Sequence, residues 1–312
     1  MDAQRKNSFI VKSQYEERNL GTKDERLVDM NEEISFLDID SLVYYQNLLR
    51  DENEVFGRNI FNNRLLTFEP NMNMATPPNY RLGAGDHVYI DIWGGSQETF
   101  DGTISPDGTV TIPGAGPVKL AGMTVSQANN HLRSQLGQYY ASSKIQLTVG
   151  ETRSIQVQVM GEVVMPGTYT ISSLSSAFNA LYAAGGISDI GTLRNIKVYR
   201  NGKEIAVIDV YDYILNGNVD GDVRLLDNDI IVVGTYDCLV QIRGKVKRPM
   251  FYEMKKDESV SSILDYSGGF TGDAYKKNIR LVRKSGREYS IHTIDEFDMS
   301  AFQLNDGDSL FV

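Results

Sequence analysis

Cysteine, histidine and long apolar runs are scarce in this sequence, and each scarcity excludes something. The chain holds one cysteine, Cys238, so no disulfide can form within it. Cys238 stands in the alternating run YDCLVQI, which predicts a buried strand residue rather than a nucleophile. The three histidines, His87, His131 and His292, have no partner at metal-ligand spacing, and neither H-E-x-x-H nor C-x-x-C occurs. They are expected on the surface or in turns. No stretch approaches about 18 consecutive apolar residues, so no transmembrane helix is encoded. The opening MDAQRKNSFIVKSQYEERNL lacks the apolar centre of a signal peptide. Positive charge is also short: 31 Lys and Arg stand against 41 Asp and Glu, a net charge of −10. That balance argues against a general affinity for nucleic acid or anionic lipid. G-x-S-x-G, S-x-x-K and Walker sequences are missing. Asp220-Gly221-Asp222 and Asp306-Gly307-Asp308 lack the further oxygens of a calcium loop and read as turn carboxylates. No cofactor or metal is expected.

What remains is a folded composition, 41% hydrophobic, in a chain of 312 residues, long enough for several domains. One glycine pair needs a decision. YRLGAGDHVYIDIWG (80–94) carries Gly83-Ala84-Gly85 beside Asp86. A dinucleotide loop needs a third glycine and a helix after it. Here Val88 takes the third position and the alternating VYIDIW follows, which predicts a strand. Without a helix N-terminus no free N–H groups aim at a phosphate. The pair is expected to turn the chain into a strand, and a nucleotide-dependent enzyme is set aside.

Along the chain, residues 1–78 read as a helical or irregular prefix and linker. DIDSLVYYQNLLRD offers Leu42, Tyr45, Leu48 and Leu49 at near-helical spacing, with Asp40 or Ser41 as N-cap. A second apolar cluster comprises Val55, Phe56, Ile60 and Phe61, and NMNMATPPN (71–79) reads as a linker. Residues 79–153 form the next unit. TISPDGTVTIP is expected to be a hairpin about Asp107-Gly108. Thr124 caps a helix burying Val125, Ala128, Leu132 and Leu136, and KIQLTV is a strand.

The rest is a repeat. VMGEVVMPGTY (159–169) recurs as IRGKVKRPMFY (242–252), 83 residues later. The same offset carries Ala184-Gly185-Gly186 onto Ser267-Gly268-Gly269, and Asn195 to Val198 onto Asn278 to Leu281. Each copy, 154–235 and 236–312, predicts a strand, a G-x-V-x-x-P turn (Gly161 and Pro166 in the first), a short helix stopped by glycines, two strands and a last strand. The fold class is therefore α+β and mostly β: a small sheet covered by a helix, used twice. Arg243, Lys245 and Lys247 at period two, with Arg248 at the end, would share one strand face. Their first-copy counterparts are Met160, Glu162, Val164 and Met165. Two readings stand: a solvated face with lysine protecting an edge, or a contact to an acidic polymer or a neighbouring subunit.

With those residues in view the chain resembles the bacterial outer-membrane polysaccharide export family. The resemblance rests on Tyr80, Gly83, Gly85-Asp86, Trp93, Asp107-Gly108, Pro113-Gly114 and Gly122-Met123-Thr124. The two copies resemble the soluble-ligand-binding β-grasp (SLBB) repeats of that family through Val159 to Tyr169, with Gly161, Pro166 and Gly167, and through Ala184-Gly185-Gly186. VFGRNIF (55–61) resembles longer, Bacteroidetes-type members. The second copy departs at Met250 for Gly167 and Ser267 for Ala184, which leaves its binding open. The resemblance implies a polysaccharide conduit rather than an enzyme, stacked in rings at the periplasmic face of the outer membrane. It implies the polymer and the inner-membrane export or co-polymerase machinery as partners. Such proteins carry a membrane anchor and often a lipidated cysteine; this sequence shows neither, so these residues are expected to be soluble and mainly monomeric. The rival reading is a β-grasp module that binds a small soluble ligand.

Overall fold

A computed structural model describes residues 54–61 and 76–312 of the protein. The helix expected over residues 40–51 lies outside the described residues. The α+β expectation holds, with strands dominating.

The first unit is built from β1 (His87–Gly94), β2 (Glu98–Thr103), β3 (Thr109–Ile112), β4 (Gly116–Lys119), α1 (Val125–Leu136) and β5 (Ser143–Val149). Val88, Ile90 and Ile92 of β1 point into a core while Tyr89 and Trp93 are exposed, as alternation demands. Thr124 caps α1 in a reciprocal box: its hydroxyl accepts from Gln127 N at 3.1 Å, and the Gln127 side chain accepts from Thr124 N at 3.0 Å. Ala128, Leu132 and Leu136 are fully buried.

The hairpin expected about Asp107-Gly108 is corrected. The turn forms, with Gly108 N donating to Ser105 O at 2.8 Å. The strands on either side do not pair. β2 joins a three-stranded sheet, β2-β1-β5, and β3 joins β4 in a separate ribbon. The reason lies at Gly108, whose carbonyl accepts from Leu120 N and Ala121 N. The turn is tied to the chain after β4, and β3 swings away from β2.

The two copies fold alike. The first has β6 (Ser154–Gly161), β7 (Gly167–Ser172), α2 (Ala177–Ala183), β8 (Gly191–Arg200), β9 (Lys203–Ile208), α3 (Val210–Asn216) and β10 (Ile230–Thr235). The second has β11 (Leu239–Arg243), β12 (Met250–Glu253), α4 (Val260–Tyr266), β13 (Asn278–Ser285), β14 (Glu288–Asp295) and β15 (Ser309–Phe311). The sheet orders are β7-β6-β10-β8-β9 and β12-β11-β15-β13-β14, position for position the same. In each the first and last strands run parallel at the centre. α3 has no helical counterpart; residues 296–301 make turns instead.

Gly161 and Gly244 have φ of +85° and +88°. A Cβ on either would fall on a backbone carbonyl oxygen, of Val233 or of Val312, far inside 3.0 Å. The last strand of each copy thus lies against a glycine that nothing else can replace. A second device is also repeated. Arg200 forks onto Asp229 at 2.9 and 2.6 Å, and Arg283 onto Asp308 at 2.9 and 2.7 Å. Both carboxylates are buried.

The two copies share one continuous apolar core, and the first unit has its own. The short segment 54–61 belongs to the shared core. Phe251 N donates to Glu54 O at 3.0 Å and Phe56 N to Phe251 O at 2.9 Å, so the segment extends the sheet at the β12 edge. Phe56 then lies between Tyr211 and Tyr252, with ring centroids 5.1 and 5.4 Å away. Phe61 meets Phe178. One strap holds both copies.

Candidate functional site

The glycine-rich YRLGAGD stretch turns inward. Gly83 N donates to Asp86 Oδ2 at 2.8 Å, and Asp86 is wholly buried. The N–H that a phosphate would need is occupied by the protein's own carboxylate. Asp86 also accepts from Tyr80 OH at 2.7 Å, Arg153 N at 2.8 Å and Arg153 Nη1 at 2.9 Å. Tyr80 OH reaches Ser173 Oγ at 2.7 Å. Asp86 therefore ties the end of the first unit, at Arg153, back onto its own glycine turn, and the Tyr80–Ser173 bond is what crosses to the first copy; burial pushes the Tyr80 phenol well above its ordinary value.

A second polar seam lies between the copies. Arg194 of β8, 6% exposed, bonds Asp209 at 2.8 Å, Glu258 at 2.8 Å and the Glu253 carbonyl at 3.0 Å, and lies on the Tyr211 ring. Glu253, buried, accepts from the Thr192 hydroxyl and from Leu193 N. Burial raises the Glu253 pKa. Burial pushes the Glu258 pKa up too, but its bonds from Arg194 and Tyr266 outweigh that and lower it. Arg58 of the strap reaches the same seam, donating to the carbonyls of Ser188 and Gly191.

The basic strip is not a strand face. β11 ends at Arg243, and Gly244 breaks the alternation by its positive φ. Arg243 is half-buried, with Nε buried and unpartnered among the described residues. Lys245, Lys247 and Arg248 are exposed on the turn that follows. Lys245 pairs with Asp273 at 2.6 Å, and Arg248 lies 4.8 Å from the Phe56 ring centroid.

The other singled-out residues are scaffold. Asp222 accepts from Phe178 N at 2.8 Å at the start of α2, and Asp306 from Leu239 N at 2.8 Å. Gly185 and Gly186 follow α2 with positive φ. Val164 N and Met165 N donate to the carbonyls of Gly186 and Ala184 at 3.0 Å, fixing the turn that leads through Pro166 to Gly167. Lys247 N and Arg248 N repeat this in the second copy. The histidines sit in regular elements rather than turns: His87 in β1, His131 in α1, His292 in β14. Cys238 lies just before β11 and is half-buried, which pushes its thiol up to about 11. Among the described residues no group of three or more His, Cys, Asp or Glu could hold a metal.

One concave feature was not visible in the sequence. A cleft of about 450 Å³ opens at the seam between the first unit and the first copy, lined by Arg81, Arg153, Arg200 and Arg224 with Asn79, Tyr80, Ser173 and Leu226. Among the described residues no carboxylate lines it. Arg153, held by buried Asp86, donates to the Arg81 carbonyl at 3.3 Å. Arg200, held by buried Asp229, donates to the Arg224 carbonyl at 3.1 Å. Each anchored arginine thus fixes the backbone of an exposed one. Arg81 gives one N–H to Gly122 O at 2.9 Å, and the Arg224 side chain has no partner among the described residues. The four are dispersed in sequence, and only the tertiary fold brings them together.

Comparison with known proteins places names on these units. Residues 74–150 match the family described as polysaccharide biosynthesis/export protein, and residues 155–233 and 239–292 match SLBB domains. The polysialic acid transport protein KpsD of Escherichia coli is 28% identical over 263 residues, covering 83% of this chain and 46% of that protein. The EPS I polysaccharide export outer membrane protein EpsA of Ralstonia solanacearum is 26% identical over 262 residues, covering 75% of this chain and 69% of its own length. The chain thus spans less than half the length of the Escherichia coli relative. Among the described residues no helix is long and apolar enough to cross a membrane.

Proposed function

We propose that this chain, a homologue of outer-membrane polysaccharide export proteins that carries an export domain followed by two SLBB domains, is a subunit of a ring-shaped conduit. It stands at the periplasmic face of the outer membrane and passes capsular or extracellular polysaccharide outward. The observation that carries this reading is the order of units: an export domain and two SLBB domains, aligned over 83% of the chain with a transport protein. The seams fit it. The Tyr80–Ser173 bond and the Arg194 cluster tie the three small units together, as a wall element needs. The chain performs no chemistry on its cargo; the polymer comes from an inner-membrane synthesis and export machine. One relative is named for polysialic acid and the other for EPS I, so the shared cargo class is polysaccharide rather than one sugar.

The exposed Lys245 and Lys247 are the proposed contact to a neighbouring subunit or an acidic glycan, which the half-buried Arg243 does not join. The test is genetic and structural together. Deletion of the gene should abolish surface polysaccharide, and the wild-type chain should restore it, with rings seen by electron microscopy of the detergent-extracted full-length protein. Lys245→Ser with Lys247→Ser should reduce export at unchanged melting temperature. Unchanged surface polysaccharide in the deletion strain would refute the reading.

A further inference from the structure

We propose that the arginine cleft between the export domain and the first SLBB domain binds a carboxylate-bearing saccharide, a uronic-acid segment of the transported polymer. The proposal rests on the polysaccharide-export reading and names the cargo class within it. Four arginines converge on one cleft in a chain of net charge −10, and among the described residues no acidic side chain lines the opening. Burial of Asp86 and Asp229 behind Arg153 and Arg200 neutralises two of the four. Arg81 and Arg224 remain, and folding explains neither charge.

The fixing of those two residues is what a built site requires. Arg153 and Arg200 hold the carbonyls of Arg81 and Arg224, so both exposed guanidiniums start from anchored backbone and lose little freedom on binding. All four cations are arginine and none is lysine. Guanidinium offers a planar fork that matches the two oxygens of a carboxylate. The remaining lining suits a sugar. Asn79 supplies an exposed amide and Leu226, 44% exposed, an apolar flank for a C–H face. Tyr80 and Ser173 bond each other and shape the floor. The volume lies within the range of small-ligand pockets, about 300–1,000 Å³.

The experiment is calorimetric titration of the full chain with tetragalacturonic acid at low salt. Maltotetraose serves as the neutral control and inorganic phosphate as the bare-anion control. Tetragalacturonate should bind, more weakly as sodium chloride is added, while maltotetraose should not. Arg81→Gln with Arg224→Gln should weaken binding about tenfold or more, since charged hydrogen bonds are removed, at unchanged circular dichroism and melting. Lys276→Ser with Lys277→Ser, two exposed cations outside the cleft, should leave binding as it was. Absence of tetragalacturonate binding, equal binding by the arginine double variant, or equally tight binding of maltotetraose or phosphate would overturn the proposal. The deletion strain separates the two claims. If it loses surface polysaccharide while tetragalacturonate fails to bind, the conduit stands and the cleft assignment falls.

Discussion

Gly161→Ala should destabilise the paired SLBB domains far more than Gly202→Ala, although both glycines have similar backbone angles. Gly161 has φ +85° and Gly202 φ +75°. The left-handed conformation costs an alanine about 1–2 kcal/mol at either site. At Gly202, in the β8–β9 turn, nothing lies within 4 Å of an added Cβ, so that cost is the whole effect. At Gly161 the methyl would land on the Val233 carbonyl, which is backbone and cannot rotate away. β10 must then move off β6. Glu162 N, which donates to Val233 O at 2.9 Å, loses its acceptor, worth about 1 kcal/mol, and the displaced strand strains a filled core by about 1–3 kcal/mol. The expected loss is about 3–6 kcal/mol at Gly161 against about 1–2 kcal/mol at Gly202. Urea unfolding followed by far-ultraviolet circular dichroism measures both, and hydrogen exchange at β6 and β10 localises the damage. Equal destabilisation by the two substitutions, within about 0.5 kcal/mol, would refute the close-approach argument.

Three further outcomes are expected. Asp86→Ala strands the Arg153 charge and the Gly83 N–H, and should cost about 3–5 kcal/mol, read as early loss of the export domain's tertiary signal in urea. Glu258 has a lowered pKa when folded, so its pairing with Arg194 stabilises above the ordinary carboxylate range and is lost as pH falls through the lowered value. Glu258→Gln should therefore be less stable than wild type at pH 7, and the gap in urea midpoint should close in acid. Phe56→Ala should cost about 3–5 kcal/mol by emptying the space between Tyr211 and Tyr252, visible as a lower melting temperature; an unchanged melt would show that the strap carries no stability.

The repeat was legible because its marks are backbone constraints. Gly161 and Gly244, the turn to Pro166, and the glycines after α2 recur at one spacing, and each has a local geometric cause. Thr124 and its capping partner were legible for the same reason, since a cap lies within one turn of chain. What failed depended on partners distant in sequence. Asp107-Gly108 gave the right turn but the wrong strand pairing, because Leu120 and Ala121 decide where that turn is tied. Period two suggested a shared face for Arg243, Lys245 and Lys247, yet Gly244 ends the strand between them. Asp86 was read only as part of a turn, although it is the buried acceptor that holds Tyr80 and the distant Arg153 together. The arginine cleft left no local trace: Arg81, Arg153, Arg200 and Arg224 meet only once both domains are folded and sealed.

The strap has a consequence in time. Val55 lies beside Phe251, 196 residues further along the chain. At roughly 5–20 residues per second the ribosome takes about 10–40 s to make that stretch. Through the interval the strap's aromatic residues have no completed seat, and when β12 forms its outer edge is briefly open to any passing strand. The second SLBB domain must therefore close back onto a segment made well before it, a long-range step that is slow for reasons of chain entropy. Whatever shields Phe56 and Phe61 in that window, the strap is the latch that closes the paired SLBB domains.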